Sequence, residues 1–283
     1  MAITADDVKS WQAAAGRSQS ATEVLELGNL RRFAAAVGED MDVERQPPSM
    51  AHWAFFLAVA PDDQIGEDGH PRRGDFLPPI TLPRRMYAGA RITFQRDLKV
   101  GVKATRTRTI TEVTEKTGRT GTLVFVSLRE DFADKDGLCI RQENDIVFRA
   151  LAQPGEAAPK PAAPPAKPVW RRTVTPDPVM LFKYSAVTFN GHRIHYDRPY
   201  TMGVEGYPGL VVHGPLTAAL LMDLCRREKK EPLATFNFRA QAPLFDTAPF
   251  TVNGAPKEGG KSWAIWAETP EGGVAMLAEA TFA

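Results

Sequence analysis

Alternating apolar and polar residues occur throughout the chain, before and after a proline-rich stretch near its middle. A period of two is typical of β-strands that turn one face towards a core. Turn residues such as Asp136-Gly137 separate neighbouring stretches. The pattern predicts strands over residues 90–94, 104–112, 121–130, 141–149, 234–238, 250–253, 262–269 and 275–282.

Two apolar stretches have the character of helices and lie at equivalent places in the two parts of the chain. We predict helices over residues 50–57 and 214–227, the second with Pro215 in its first turn. Residues 33–39 also resemble residues 184–190, because each begins with an aromatic residue and has a polar residue six positions later. Each part is thus a short helix with a loop, a longer helix and an antiparallel meander that we expect to wrap around it. We therefore predict an α+β fold built from a repeat.

The proline-rich stretch divides the chain. Residues 152–168 contain six prolines and no aromatic or β-branched residue, so they cannot bury enough apolar surface to form a core. We therefore predict two domains, over residues 1–151 and 169–283, joined by this linker.

Composition narrows the classes of function. The 35 Lys and Arg residues almost balance the 34 Asp and Glu residues, and the net charge of +1 argues against a nucleic-acid partner. No apolar stretch approaches the roughly 20 residues that cross a bilayer, and the acidic start is unlike a secretory signal. We expect a cytoplasmic protein with no membrane partner. Cys139 and Cys225 lack zinc-ribbon or disulfide spacing, so we expect both to be small buried residues.

Three of the five histidines lie within 22 residues of one another: His192, His195 and His213. The turn that follows Asn190 places the first two on a loop, where side chains can converge on a pocket. His213 directly precedes Gly214 at the predicted helix start, where free amides and the positive end of the helix dipole favour a developing oxyanion. The first part shows no similar cluster, so we expect the site in the second part.

The residues around these histidines carry a resemblance to a known family. The segment Tyr184-x-x-Val-Thr-Phe-Asn-x-His-x-Ile-His resembles the hydratase signature of the MaoC-like (R)-specific enoyl-CoA hydratases, and His195 falls on its catalytic histidine. Val212-His-Gly-Pro-Leu is similar to the family's second element, at the start of the central helix. The chain resembles in particular the branch with a FAS1-like dehydratase N-terminal domain, which includes mesaconyl-C4-CoA hydratases and 3-hydroxyacyl-thioester dehydratases. This resemblance implies a double hotdog, in which two antiparallel sheets around central helices form one pseudo-dimeric unit.

The resemblance implies reversible addition of water across the α,β double bond of an enoyl-CoA thioester. Acyl-CoA would be the substrate, and no bound cofactor would be needed. The signature's aspartate is Asn190 here, and an amide cannot act as a general base. We therefore expect His195 to carry more of the proton transfer and Asn190 to orient the water. His192 would be a second acid or base, or would hold the loop.

Further residues are expected around the substrate. The Gly214 N–H would stabilise the enolate oxygen, and Tyr184 is the aromatic residue of the signature. His213 would be a neutral wall residue, because a helix N-terminus disfavours a cation. Arg193 could bind a substrate carboxylate through two N–H groups or pair with an acid at the surface, and the sequence does not choose between these roles.

A metal site is an alternative interpretation of the histidines. His192 and His195, with Asp197 or His213, are ligand types at short spacing. They lie on a predicted loop and lack the glutamate of a helical HExxH site, so we predict no metal.

Two other functions stay open. Hotdog folds also include acyl-CoA thioesterases, and a fold does not determine its chemistry. A non-catalytic acyl-binding module describes the first part, where Glu39 and Glu44 occupy the positions of Asn190 and His195. We expect this part to cover the second and to shape the acyl tunnel.

The acyl group is the least determined feature. A short branched or dicarboxylic acyl-CoA, such as mesaconyl-C4-CoA or itaconyl-CoA, is the substrate that the resemblance favours. A straight enoyl-CoA and an acyl-carrier-protein thioester of fatty acid synthesis are the alternatives. Because a double hotdog leaves open sheet edges, we also expect a homodimer.

Overall fold

The computed structural model describes residues 3–39, 42–72, 76–118, 121–150 and 161–283. Its helices are α1 (Ala5–Gln12), α2 (Leu27–Val37), α3 (Pro178–Val187), α4 (Arg198–Gly203) and α5 (Gly214–Glu228). Its strands are β1 (Ser18–Val24), β2 (Arg84–Phe94), β3 (Lys103–Gly118), β4 (Gly121–Asp134), β5 (Gly137–Arg149), β6 (Trp170–Val174), β7 (Leu233–Ala240), β8 (Phe250–Pro256), β9 (Ser262–Glu268) and β10 (Val274–Phe282). All eight predicted strands lie within or overlap strands of this set.

The described strands form one ten-stranded antiparallel sheet in the order β1-β3-β4-β5-β2-β7-β10-β9-β8-β6. The order is symmetric about its centre, because β1 to β5 occupy the same relative places as β6 to β10. At the centre Ile92 of β2 lies opposite Phe236 of β7. When residues 90–94 are aligned with residues 234–238, Ile92 and Phe236 become equivalent positions. The same alignment turns the flanking pair Arg91–Asn237 into the pair Thr93–Thr235. The α+β double repeat predicted from the sequence is confirmed, and its halves join edge to edge in one sheet.

Helix α5 lies at the centre of the second half, as predicted. All side chains of residues 216–225 are buried, which is expected for a helix that is apolar almost all round. The helix packs against β7, β8, β9 and β10. It begins with Gly214 and Pro215, where the missing proline donor has no cost.

The predicted helix over residues 50–57 is wrong. Only Ala51–Ala54 are helical, as one short 3-10 turn. The backbone of Phe56 is left-handed, with φ of 56°, and a phenylalanine in that conformation cannot continue a helix. Side chains from two strands instead form hydrogen bonds with the backbone of Phe56. The Glu23 carboxylate accepts the Phe56 N–H, and the Arg106 guanidinium donates to the Phe56 carbonyl oxygen. Among the described residues of the first half, nothing corresponds to α5.

The main core extends through both halves. It includes Phe33 and Ile92 of the first half together with Leu221 and Phe236 of the second. Helices α2 and α3, which contain the first residues of the two similar segments, pack on each other. Both cysteines are buried with free thiols, as expected.

The predicted domain boundary falls largely outside the described residues, which resume at residue 161. Residues 161–168 form neither helix nor strand, and the Ala162 carbonyl accepts the N–H of Val274 at 2.9 Å. The division into domains at residues 1–151 and 169–283 therefore stays a prediction. No helix among the described residues combines the length and apolar character needed to span a bilayer.

The central strand pair generates a stability prediction. Phe236 is fully buried where the two halves meet, so Phe236→Ala should lower the free energy of unfolding by about 3–5 kcal/mol. Its exposed neighbour Asn237 is the matched control, and Asn237→Ala should change that free energy by about 0.5 kcal/mol or less. Urea unfolding of both variants measures the difference. Equal losses would contradict a core that is continuous across β2 and β7.

Candidate active site

Four histidine rings lie in one row at the boundary between the halves. The ring centroids of His195 and His213 are 3.6 Å apart and nearly parallel. His192 meets His195 edge to face at 5.5 Å, and His70 lies on the other side of His192 at 4.4 Å. The structure thus brings together the three histidines singled out in the sequence and adds a fourth from the first half.

His195 has a defined tautomer. It ends a 3-10 turn, Arg193–His195, and its ring is buried. The Nδ1 atom is 2.7 Å from the carbonyl oxygen of Val211, which can only accept, so Nδ1 carries the proton. The Nε2 atom is therefore the basic position of the ring. Burial lowers the pKa of His195 to about 3, which keeps the imidazole neutral.

His213 is the residue directly before α5, and its ring stacks on His195. Its Nε2 atom is 2.9 Å from the Ser185 hydroxyl, and its Nδ1 atom has no hydrogen-bond partner among the described residues. Burial lowers its pKa well below the ordinary imidazole range, and His195 lowers it further. Both effects favour the neutral imidazole, and the role of His213 as a wall of the substrate site stays a prediction.

Gly214 follows directly at the first position of α5. A side chain there would meet no atom within 4 Å, so there is open space beside the backbone. The first N–H groups of a helix have no acceptor within the helix and carry its positive partial charge. Gly214 therefore combines space for a close approach to its backbone with a position at the positive end of α5, directly after His213.

Asn190 shapes the loop that carries His192 and His195. It follows Phe189, whose backbone is left-handed two residues beyond the end of α3, and its N–H donates to the Ser185 carbonyl at 2.8 Å. Its side-chain oxygen accepts the N–H of His192 at 3.1 Å. The side-chain carbonyl of Asn190 is thus engaged in the turn. The role of Asn190 in orienting water stays a prediction.

Tyr184 lies inside the core below His213. Its ring centroid is 4.9 Å from that of His213, and its hydroxyl has no hydrogen-bond partner among the described residues. Burial raises the pKa of Tyr184, so the phenol stays protonated. The structure brings this residue to the histidine row, and its contact with substrate stays a prediction.

Arg193 is engaged within the protein. Its Nε atom donates to Asp197 at 2.9 Å, and its guanidinium lies over the ring of Tyr200. A further N–H donates to the carbonyl oxygen of Glu67 in the first half, at 3.1 Å. Of the two roles considered for Arg193, the structure shows the ion pair.

The fourth histidine comes from a loop that the sequence interpretation did not assign to the site. His70 and Asp68 lie on the loop between Gln64 and Arg72, which is closed by the Arg72 N–H to Gln64 carbonyl bond. The first part has no histidine cluster of its own, but it brings His70 next to His192 of the second part. The turn Asp68-Gly69 before His70 was the available signal, but nothing in the sequence shows which element such a loop contacts.

The group of residues that could hold a metal ion differs from the one considered in the sequence. Ligand atoms of Asp68, His70 and His192 lie within 4.8 Å of one another, and these residues are half-buried. Asp197, which the earlier set included, is instead paired with Arg193 and caps α4. The absence of a metal stays a prediction.

The equivalent place in the first half holds an ion pair. Glu39, which corresponds to Asn190, is buried, pairs with Arg226 at 3.2 Å and accepts the Ser49 N–H. Burial raises the pKa of its carboxyl. Glu44, which corresponds to His195, pairs with Arg31 at the surface. Neither position carries an imidazole.

Comparisons with known proteins agree with this fold. The hydroxyacyl-thioester dehydratase type 2 family matches residues 50–246. The mesaconyl-C(4)-CoA hydratase of Chloroflexus aurantiacus is 44% identical over 274 residues, which cover 95% of this chain and 96% of the relative. The relatives' names confirm the prediction of a hydro-lyase that acts as a hydratase or dehydratase.

Two solved structures support the fold. A MaoC-like dehydratase from Phytophthora capsici superimposes with a TM-score of 0.70 and 16% identity, covering 98% of both chains. A Mycobacterium tuberculosis protein with a double hotdog fold gives a TM-score of 0.54 and 15% identity, covering 95% of this chain and 96% of that one. These similarities confirm the MaoC-like double hotdog that the sequence resembles. The chain therefore belongs to the hydroxyacyl-thioester dehydratase type 2 family.

Proposed function

We propose that the protein adds water reversibly across the α,β double bond of a short branched or dicarboxylic enoyl-CoA, such as mesaconyl-C4-CoA or itaconyl-CoA. One observation carries the proposal: His195, whose Nε2 atom is left as the basic nitrogen, stacks on His213, the residue that directly precedes Gly214 at the start of α5. The high identity to a mesaconyl-C(4)-CoA hydratase supports this substrate class.

The reaction needs a base for water and a donor for the thioester oxygen. In the hydration direction, Nε2 of His195 takes a proton from water while the water oxygen bonds to the β carbon. The π electrons move to the thioester oxygen as an enolate, which the Gly214 N–H stabilises. The enolate then collapses, the carbonyl re-forms, and the α carbon takes the proton from His195. The same steps in reverse dehydrate a 3-hydroxyacyl thioester.

The neighbours of His195 prepare it for this role. The Val211 carbonyl holds the proton on Nδ1, so the reactive nitrogen cannot exchange its function with the bonded one. The neutral ring of His213 packs against His195 and places no competing cation beside it. Because Asn190 replaces the family's aspartate, His195 both takes the proton from water and delivers a proton to the α carbon.

We also propose a cytoplasmic homodimer without a resident cofactor or metal. The balanced charge supports the absence of a nucleic-acid partner. The outermost strands, β1 and β6, are the sheet edges at which a second copy could pair. The alternative function is the reverse reaction, dehydration of a 3-hydroxyacyl thioester in fatty acid synthesis. A relative from Schizosaccharomyces pombe named hydroxyacyl-thioester dehydratase type 2 supports this alternative.

His195→Gln should abolish most of the hydration while keeping a polar side chain of similar size. We expect kcat to fall at least about 100-fold, because the variant lacks the proton acceptor. Loss of the enoyl-thioester absorbance measures the rate with mesaconyl-C4-CoA and with crotonyl-CoA. The control is Glu44→Gln at the equivalent exposed position of the first half, which should keep the wild-type rate. Near-normal turnover by the His195 variant, or release of free thiol by the wild type, would contradict the proposal.

The buried neutral imidazoles also predict how stability depends on pH. Burial lowers the pKa of His192 to about 4 and that of His195 to about 3, whereas histidines of the unfolded chain titrate near about 6.5. Between these values the unfolded state binds more protons. The free energy of unfolding should therefore fall as the pH drops from about 7 towards about 4, by up to about 1.4 kcal/mol per pH unit for each such histidine.

Urea unfolding at a series of pH values measures this slope. His195→Gln removes one titrating ring, so the slope should be smaller in the variant than in the wild type. A variant with the wild-type slope would show that His195 is not buried in its neutral form.

A further inference from the structure

We propose that the loop of residues 64–72 completes the active site from the first half, with Asp68 and His70 as positioning residues for His192 and, through it, for His195. The inference rests on the hydratase function proposed above. It assigns to the first half a direct part in the catalytic site, in addition to the expected role of covering the second half.

The loop has a closed geometry of its own. The Gly66 N–H donates to the His70 carbonyl and the Arg72 N–H to the Gln64 carbonyl, both at 2.8 Å. The Gly69 N–H donates back to Gly66, and the Asp68 carboxylate accepts the His70 N–H at 3.0 Å. These bonds fix Asp68 and His70 relative to each other.

Backbone contacts dock this loop on the catalytic loop of the second half. The Arg193 N–H donates to the Asp68 carbonyl at 2.9 Å, and the Arg193 guanidinium donates to the Glu67 carbonyl. Gly69 and Gly191 approach so closely that a Cβ at Gly191 would lie 2.6 Å from the Gly69 oxygen. Both positions therefore require glycine, because any side chain would clash with the backbone of the opposite loop.

The docking brings a ring and a carboxylate to His192. The His70 ring faces that of His192 with an interplanar angle of 36°, and His192 stands edge-on to His195. The ligand atoms of Asp68, His70 and His192 lie within 4.8 Å of one another. The site lacks an aspartate at Asn190, and a carboxylate from the other half faces this same row of histidines.

Several charged and titratable groups act on His192. Burial lowers its pKa most, the Asp68 carboxylate raises it, and the Arg85 guanidinium lowers it. His70 and His195 contact its two sides, and His192 in turn lowers the pKa values of His195 and His213. Removing the Asp68 charge should therefore lower the pKa of His192 further and change its interaction with His195.

The test compares Asp68→Asn with Glu67→Gln in the full-length protein. Both variants remove one carboxylate from the same loop, but Glu67 is exposed and uses only its backbone carbonyl at the interface. Ring carbon and nitrogen resonances of labelled histidines, assigned with His192→Gln, report on the site without requiring turnover. We expect the His192 resonances to shift in Asp68→Asn and to keep wild-type values in Glu67→Gln.

Kinetics with mesaconyl-C4-CoA and crotonyl-CoA form the second readout. We expect Asp68→Asn to lower kcat about tenfold to hundredfold, because it removes the carboxylate charge that acts on His192, and to leave KM within about twofold. Asp68→Glu, which restores the charge, should recover part of kcat. Glu67→Gln should match the wild type.

The outcomes separate this inference from the proposed function. Unchanged His192 resonances, or unchanged kcat in an active Asp68→Asn, would overturn the inference. If the wild type does not hydrate enoyl-CoA, the proposed function fails, and the resonances alone support or overturn the coupling of the loop to His192. Loss of wild-type activity with a chelator and its return with zinc would also overturn it, because the three residues would then be metal ligands.

Discussion

The antiparallel pairing of β2 with β7 is the interaction on which the rest of the structure depends. It joins two five-stranded halves into one sheet with Ile92 and Phe236 buried at the centre. Because the sheet is continuous, a loop of the first half and the catalytic loop of the second meet at the same boundary. The close approach of Gly69 to Gly191 follows from that arrangement. The candidate active site therefore lies where the halves join, although the candidate base and the candidate oxyanion donor both belong to the second.

Within the site, one hydrogen bond determines which atom can react. The Val211 carbonyl accepts from Nδ1 of His195, so Nε2 is left as the base. Burial keeps His195 neutral, and the neighbouring His192 lowers its pKa further. Negative charge that develops on the thioester oxygen would favour protonation of His195, which couples proton transfer to enolate formation. In the proposed mechanism, the N–H of Gly214 at the start of α5 would stabilise the same charge.

Much of this structure could be predicted from the sequence, because period-two strands, a proline at a helix start and clustered histidines are local signals. Helix α5 and the convergence of His195 with His213 illustrate this. Two features depend on contacts that no local pattern contains. The stretch over residues 50–57 is apolar enough for a helix, but side chains of β1 and β3 bond its backbone. His70 reaches the site only because a loop of the first half docks on the second.

The central claim is that this site adds water to an enoyl thioester and leaves the thioester bond intact. Mass spectrometry of the product formed from mesaconyl-C4-CoA in oxygen-18 water tests it most directly. The account predicts a CoA ester that is heavier by one water molecule, with oxygen-18 in the new hydroxyl group. Free CoA together with oxygen-18 in a released carboxylate would show hydrolysis instead and would contradict the account.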